Sequence, residues 1–121
     1  MAKESFAKNR LNGFLYSVKG AFLLLRTEKS IQLQFMLGVV VTIAGFYYEI
    51  SRVEWMIQTL AIALVMGIEG VNTAIEKLSD YVQPNHDPKI GFIKDISAGA
   101  VLIAAVAASI LGLIVYLPKI F

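Results

Sequence analysis

Three acidic residues and one asparagine follow a long apolar stretch at helical spacing. The four residues are Glu69, Asn72, Glu76 and Asp80, and the apolar stretch runs from Trp55 to Ile68. Because residues three and four apart share one face of an α-helix, these side chains are predicted to form one stripe. Three carboxylates on one stripe repel each other unless a cation lies among them. A divalent metal, a lysine or a metal-bound phosphate would supply that charge.

A simpler interpretation is a solvated helix end in which Lys77 is the ionic partner of the acids. This interpretation suits Asp80, which lies furthest from the apolar stretch. It suits Glu69 less well, because an acid inside an apolar helix is costly to bury in lipid and usually marks a functional site. We therefore expect Glu69 to be functional, as a general base that takes a proton from a hydroxyl group.

The composition is that of a membrane protein. The chain has 121 residues, of which 57% are hydrophobic and 17% are charged, and its mean hydropathy is +0.67. A water-soluble domain of this length would be less apolar and more charged, so we expect one integral membrane domain over 1–121. The absence of cysteine excludes disulfides and thiolate metal sites. The net charge of +2 is small and predicts no nucleic-acid partner.

The hydrophobic pattern predicts an all-α fold with three transmembrane spans. The spans are expected at 31–48, 53–75 and 96–117, each long enough to cross the apolar core of a bilayer. Residues 1–27 are instead expected to form an amphipathic helix, whose basic face suits an anionic membrane surface. An ordinary bundle helix is the alternative for this segment.

Local motifs predict where the helices begin and how they pack. Ser51 and Glu54 form a predicted capping box, and Asp87 is a predicted N-cap followed by proline. Small residues at helical spacing predict close helix packing in two of the spans. The first stripe is Gly38, Thr42 and Gly45, and the second is Ala100, Ala104, Ala108 and Gly112.

Basic residues predict the orientation. Lys and Arg flank the spans mostly on the side of the N-terminus and of the loop 81–89, so the positive-inside rule places both in the cytoplasm. Glu28, Lys94 and Asp95 are then expected at the same depth as the acidic stripe. Acidic oxygens suit Mg²⁺ and a lysine can neutralise phosphate, so these parts fit phosphoryl transfer from a metal nucleotide to a lipid alcohol.

Two sequence blocks carry a resemblance to a known family. The first is Glu69-x-x-Asn72-Thr-Ala-Ile-Glu76-x-x-x-Asp80 and the second is the run from Lys94 to Val101. Residues 16–20 and Glu28 match further upstream. From about residue 10 to residue 117 the chain resembles the small prokaryotic diacylglycerol kinases, a family that includes the undecaprenol kinases.

The resemblance implies a homotrimer of three-helix subunits with sites shared between neighbours, in a bacterial inner membrane. It implies that Glu69 is the general base on the lipid hydroxyl and that Glu28 and Glu76 hold Mg²⁺ bridging the ATP phosphates. Asn72 would order the site. The resemblance also implies that Lys94, Asp95 and Tyr16 bind the nucleotide.

The acceptor stays open at this point between two lipid alcohols. Diacylglycerol is the first expectation and undecaprenol the alternative, since both present a primary hydroxyl at the membrane interface. Two other classes compete with a kinase: a small transporter that uses Glu69 as a proton or cation site, and a structural membrane-assembly protein. The clustering of the acids at one depth, with no polar stripe across the bilayer, disfavours the transporter.

Overall fold

The computed structural model describes residues 2–121, with side chains described from Ser5 onward. The described chain is almost entirely helical and contains no strand. Its four helices are α1 (Ala2–Thr27), α2 (Lys29–Tyr47), α3 (Arg52–Val82) and α4 (Pro88–Ile120). Met1, which the predicted helix 1–27 included, lies outside the described residues.

Helices α2, α3 and α4 are each long and apolar enough to cross a membrane. The predicted spans 31–48, 53–75 and 96–117 lie within these helices, except that Tyr48 is the C-cap of α2. Most large apolar side chains are exposed in the single chain, and only a few residues form a dry core, among them Ile31, Val65 and Ala104. The all-α membrane fold is therefore confirmed.

The helix ends follow the predicted local chemistry. Ser51 and Glu54 form the capping box at the start of α3, with each side chain bonded to the backbone N–H of the other residue. Asp87 accepts hydrogen bonds from the first backbone N–H groups of α4. Between α2 and α3, Glu49 adopts a positive φ of 51° and completes a Schellman-type end for α2.

Small residues bring α2 close to α3, as predicted. A Cβ on Gly45 would lie 2.6 Å from the Trp55 ring, and one on Gly38 would lie 3.2 Å from Ile62. These distances leave no room for a larger side chain at Gly45.

Within the single chain, only part of the predicted stripe on α4 is buried. Ala104 is buried, but Ala100 is exposed and a Cβ on Gly112 would meet nothing within 4 Å. The buried positions are instead Ser97, Ala104 and Val115. These positions are seven and eleven residues apart, which matches whole turns of a helix with 3.6 residues per turn. Residues at a strict four-residue repeat rotate gradually around the helix, so they do not all stay on the buried face.

A polar cluster joins the three spanning helices away from the acidic stripe. Gln58 on α3 donates to the Val41 carbonyl on α2 at 3.2 Å, and the Tyr116 hydroxyl on α4 donates to Gln58 Oε1. Nearby, Lys119 pairs with Glu54 at 3.0 Å. The helix–helix role that lone polar residues usually have within membranes therefore holds for Gln58.

Helix α1 leaves most of its described large apolar side chains exposed, among them Phe14 and Phe22. It packs against α2, and Leu24 reaches the backbone of α3, where a Cβ on Gly70 would lie 3.0 Å from it. An apolar face without a partner in the chain agrees with an amphipathic helix on a membrane surface, which stays a prediction.

Candidate functional site

The predicted acidic stripe lies on one uninterrupted helix, α3, and passes from a buried to an exposed setting. Glu69 and Asn72 are each 8% exposed, Glu76 is half-buried and Asp80 is exposed. Thr73 donates its hydroxyl to the Glu69 carbonyl at 3.1 Å, so it bonds within its own helix. Glu69 is thus the most deeply placed acid of the stripe, as its position after the apolar stretch predicts.

A chain of hydrogen bonds orders the centre of this stripe. Ser97 Oγ on α4 donates to Asn72 Oδ1 on α3 at 2.6 Å, and Asn72 Nδ2 donates to Glu76 Oε1 at 3.1 Å. Asn72 is therefore held from both sides. Sequence reasoning noted Ser97 only as part of a motif. Its position three residues after Lys94, on the same helical face, is the signal that could have singled it out.

Two ion pairs flank the acidic stripe, and neither of them joins Lys77 to an acid of the stripe. Lys77 pairs with Glu28 at 3.1 Å, across to the residue that precedes α2. Asp80 pairs with Lys94 at 2.8 Å, which links α3 to α4. The interpretation of Lys77 as the partner of Asp80 is therefore wrong, because Lys77 points toward the neighbouring helix rather than along its own.

Lys94 is held at the edge of a small polar cavity. The cavity has a volume of about 160 Å³, and both members of the Asp80–Lys94 pair line it together with loop residues that include Asn85 and His86. The hydrogen bond that Lys94 donates to the Asp80 carboxylate raises the pKa of Lys94 above its usual value, so the amine stays protonated. A protonated lysine beside a cavity is a suitable partner for a phosphate group.

Two residues that the resemblance assigns to nucleotide binding are not bonded to the acidic stripe or to Lys94 within one chain. Tyr16 on α1 is 72% exposed, and Asp95 on α4 is also exposed. Within the described part of the chain, neither side chain makes a hydrogen bond or an ion pair. The contacts of Glu28 are likewise with Lys77, and not with Glu76.

The acidic residues suit a metal that is shared with a substrate. Among the described residues, no three acidic or histidine side chains converge on one point. Mg²⁺ is commonly held by one or two carboxylates, with waters and substrate phosphates completing its shell, so two carboxylates meet this requirement. In the described chain, the Glu76 carboxylate accepts one hydrogen bond, from the side-chain amide of Asn72. Its remaining oxygen lone pairs are available to a metal ion.

An apolar groove lies between the three spanning helices. It has a volume of about 410 Å³ and begins at Val65 and Met66, one helical turn before Glu69. It continues past Ala108 to Gln58 and Tyr116. An apolar groove that ends one helical turn before a buried acid has the shape and polarity for a hydrocarbon chain.

Two known kinases are similar to this chain in sequence. The chain is 38% identical over 116 residues to an undecaprenol kinase from Bacillus subtilis (strain 168). The aligned region covers 93% of this chain and 94% of that protein. The chain is also 33% identical over 113 residues to a diacylglycerol kinase from Synechocystis sp. (strain ATCC 27184 / PCC 6803 / Kazusa). That aligned region covers 93% of this chain and 65% of the Synechocystis protein.

The match to a family extends over most of the chain. The sequence model described as prokaryotic diacylglycerol kinase matches residues 15–116, which include α2, all of α3 and most of α4. The match contains the buried Glu69, the bonded Asn72–Glu76 pair and Lys94. It does not support the transporter alternative. This chain belongs to the prokaryotic diacylglycerol kinase family and is a lipid kinase of the membrane.

Proposed function

We propose that this protein transfers a phosphoryl group from Mg-ATP to the primary hydroxyl of a membrane lipid alcohol. The observation that carries the proposal is the position of Glu69. Its carboxyl group is buried on the face of α3 that also presents Asn72 and Glu76, one turn beyond an apolar groove of about 410 Å³. A lipid chain in the groove would bring its hydroxyl to this carboxyl group, which can accept the proton as general base.

The remaining residues have roles that follow from their charge and contacts. Glu28 and Glu76 are proposed to hold Mg²⁺ with the phosphates of ATP, and the bound ion would neutralise charge on the transferring group. Asn72 orders Glu76 through the hydrogen bond at 3.1 Å. Lys94, protonated beside its cavity, would bind phosphate. Tyr16 and Asp95 are proposed to contact the nucleotide, and both are exposed and free to do so.

Undecaprenol is the acceptor that we favour. The undecaprenol kinase of B. subtilis shares 38% identity along nearly its whole length, whereas the diacylglycerol kinase of Synechocystis shares 33% and is matched over 65% of its length. This order reverses the preference drawn from the sequence. Diacylglycerol remains the second candidate because that relative and the family description both name it.

The proposal includes an assembly and an orientation. Tyr16 and Asp95 lie apart from the acidic stripe in one chain, and the apolar faces of the helices are largely exposed, so a homotrimer with sites shared between subunits is proposed. The basic flanks support the proposal that the N-terminus and the site face the cytoplasm, where ATP is present, and we propose a bacterial inner membrane as the location.

Replacement of the proposed base tests this function. Glu69→Gln keeps the size of the side chain but cannot take the proton, so lipid-dependent phosphate transfer should fall by about 10²- to 10⁴-fold. The matched control is Glu49→Gln, which alters an exposed acid in the turn between α2 and α3. Transfer within a few-fold of wild type in folded Glu69→Gln would exclude Glu69 as the base.

A further inference from the structure

Among the serine and threonine hydroxyls that donate hydrogen bonds in the described chain, Ser97 differs in where its bond goes. Ser17, Thr42 and Ser109 each donate to the carbonyl four residues earlier in their own helix. Ser97 instead donates across the interface between α4 and α3, to Asn72 Oδ1 at 2.6 Å. Both residues of this bond are only 8% exposed.

The chemistry of the three groups allows only one direction for this chain of bonds. An ionised carboxylate only accepts hydrogen bonds, so the amide NH₂ of Asn72 must face Glu76. The amide oxygen of Asn72 therefore faces Ser97, and the serine hydroxyl must donate. A rotated amide would set its oxygen against Glu76 Oε1, which places two acceptors in contact.

We infer that Ser97 is a positioning residue of the metal–nucleotide site, which acts through Asn72 to orient the carboxylate of Glu76. The inference rests on the proposed function, because the metal-binding role of Glu76 belongs to that proposal. Ser97 fixes the Asn72 amide, the amide engages Oε1 of Glu76, and Oε2 is left for the ion. Partners that orient a ligand commonly contribute 10- to 100-fold to metal affinity or activity.

Ser97 lies in an interface between α3 and α4 that contains more than one polar contact. Helices α3 and α4 share the largest interface in the chain, and a second polar bridge, Asp80–Lys94, joins them on the same side. Among the described residues no fully buried side-chain nitrogen or oxygen lacks a hydrogen-bond partner. Loss of the Ser97 hydroxyl would leave the Asn72 oxygen without its partner, and the amide could then rotate away from Glu76.

The experiment compares three variants of the full chain in micelles. Ser97→Ala removes the donor, Ser97→Thr keeps a hydroxyl, and Thr42→Val removes a hydroxyl that bonds only to the backbone of its own helix, α2. Two quantities are measured: the Mg²⁺ concentration for half-maximal lipid phosphorylation, and the rise in Tm that Mg-ATP produces. The rise in Tm reports binding without turnover.

In Ser97→Ala the required Mg²⁺ concentration should increase about tenfold or more, and the rise in Tm with Mg-ATP should shrink. Ser97→Thr and Thr42→Val should retain both wild-type values. The inference is overturned if Ser97→Ala has wild-type Mg²⁺ dependence and a wild-type rise in Tm. It is also overturned if Thr42→Val loses as much as Ser97→Ala, since the loss would then be a general effect of removing a helical hydroxyl.

Two further measurements cover the remaining cases. If Ser97→Ala does not fold, Ser97→Cys keeps nearly the same volume with a weak donor and should weaken the response to Mg-ATP in the same direction. An unchanged response would overturn the inference.

In an Asn72→Ala background, Ser97→Ala should cause no further loss in the rise in Tm, whereas an additional loss would show that Ser97 does not act through Asn72.

Failure of the proposed function looks different from failure of this inference. A wild-type protein that is stabilised by Mg-ATP but phosphorylates neither lipid alcohol contradicts the proposed function, and the Tm measurements still test Ser97. A wild-type kinase whose Ser97→Ala variant behaves normally contradicts only the inference about Ser97.

Discussion

Lys77 on α3 lies 3.1 Å from the carboxylate of Glu28, the residue that separates α1 from α2. Glu28 is also the residue after which the chain leaves the proposed membrane surface and enters its first span. The ion pair therefore holds the start of α2 against the acidic stripe of α3. It also balances the charge of a carboxylate that is proposed to bind Mg²⁺.

The Glu28–Lys77 pair allows a metal role to be separated from a structural one. Glu28→Ala removes both the ion pair and the proposed ligand, so the Mg²⁺ concentration for half-maximal activity should rise at least tenfold. Lys77→Ala removes only the ion pair, which is exposed on the lysine side, and should change this concentration by less than about threefold. Equal effects of the two substitutions would show that Glu28 acts through the ion pair and not as a ligand.

The Asp80–Lys94 pair is expected to hold Lys94 at the edge of its cavity. Asp80→Asn removes the charge, and the KM for ATP should rise by about two- to fivefold, since an exposed ion pair of this kind contributes only modestly. Titration of the KM at constant Mg²⁺ measures this effect. A lower KM in the variant would show instead that Asp80 competes with phosphate for Lys94.

The same pair predicts a dependence on alkaline pH. Asp80 raises the pKa of Lys94, so the protonated amine is present below that raised pKa and is lost only as the pH increases through it. In Asp80→Asn the loss of ATP binding with increasing pH should therefore begin at a lower pH than in the wild type. Profiles of the KM for ATP between neutral and alkaline pH test this, and coincident profiles would contradict the assigned role of Asp80.

The polar cluster at the opposite end of the bundle should stabilise the fold without affecting catalysis. Tyr116→Phe removes the hydroxyl that donates to Gln58, and we expect a loss of about 0.5–1.5 kcal/mol in the free energy of unfolding. Gln58→Leu combined with Tyr116→Phe should lose less than the sum of the two, because no buried polar group is then left alone. Denaturation in mixed micelles measures the stability, and additive losses would contradict direct coupling of these two residues.

Much of the fold could be predicted from local sequence patterns. Hydrophobic length predicted the spans, and Ser51, Glu54 and Asp87 predicted the helix starts, because capping depends on residues close together in the chain. The face of α4 that is buried within the chain coincides with the predicted small-residue stripe only at Ala104. That face depends on how two helices cross, and a four-residue repeat of small residues does not contain this information.

The stripe on α3 could be predicted from spacing alone, but its partners could not. Glu69, Asn72, Glu76 and Asp80 lie on one helix, whereas Ser97, Lys94 and Glu28 approach them from other helices. Spacing along the chain does not show that Lys77 turns toward Glu28, or that Ser97 reaches Asn72 across 25 residues of sequence. The placement of Tyr16 and Asp95 in a shared site stays a prediction.

The most direct test of the central claim is phosphate transfer by the purified wild-type protein in phospholipid-containing micelles. Mg-ATP would be supplied with undecaprenol, with diacylglycerol or with neither, and Glu69→Gln would serve as the inactive reference. We predict transfer that requires a lipid alcohol and Mg²⁺, with undecaprenol the better acceptor. Preference for diacylglycerol would contradict the proposed acceptor, and no transfer to either lipid by folded protein would contradict the assignment of lipid phosphorylation to the site around Glu69.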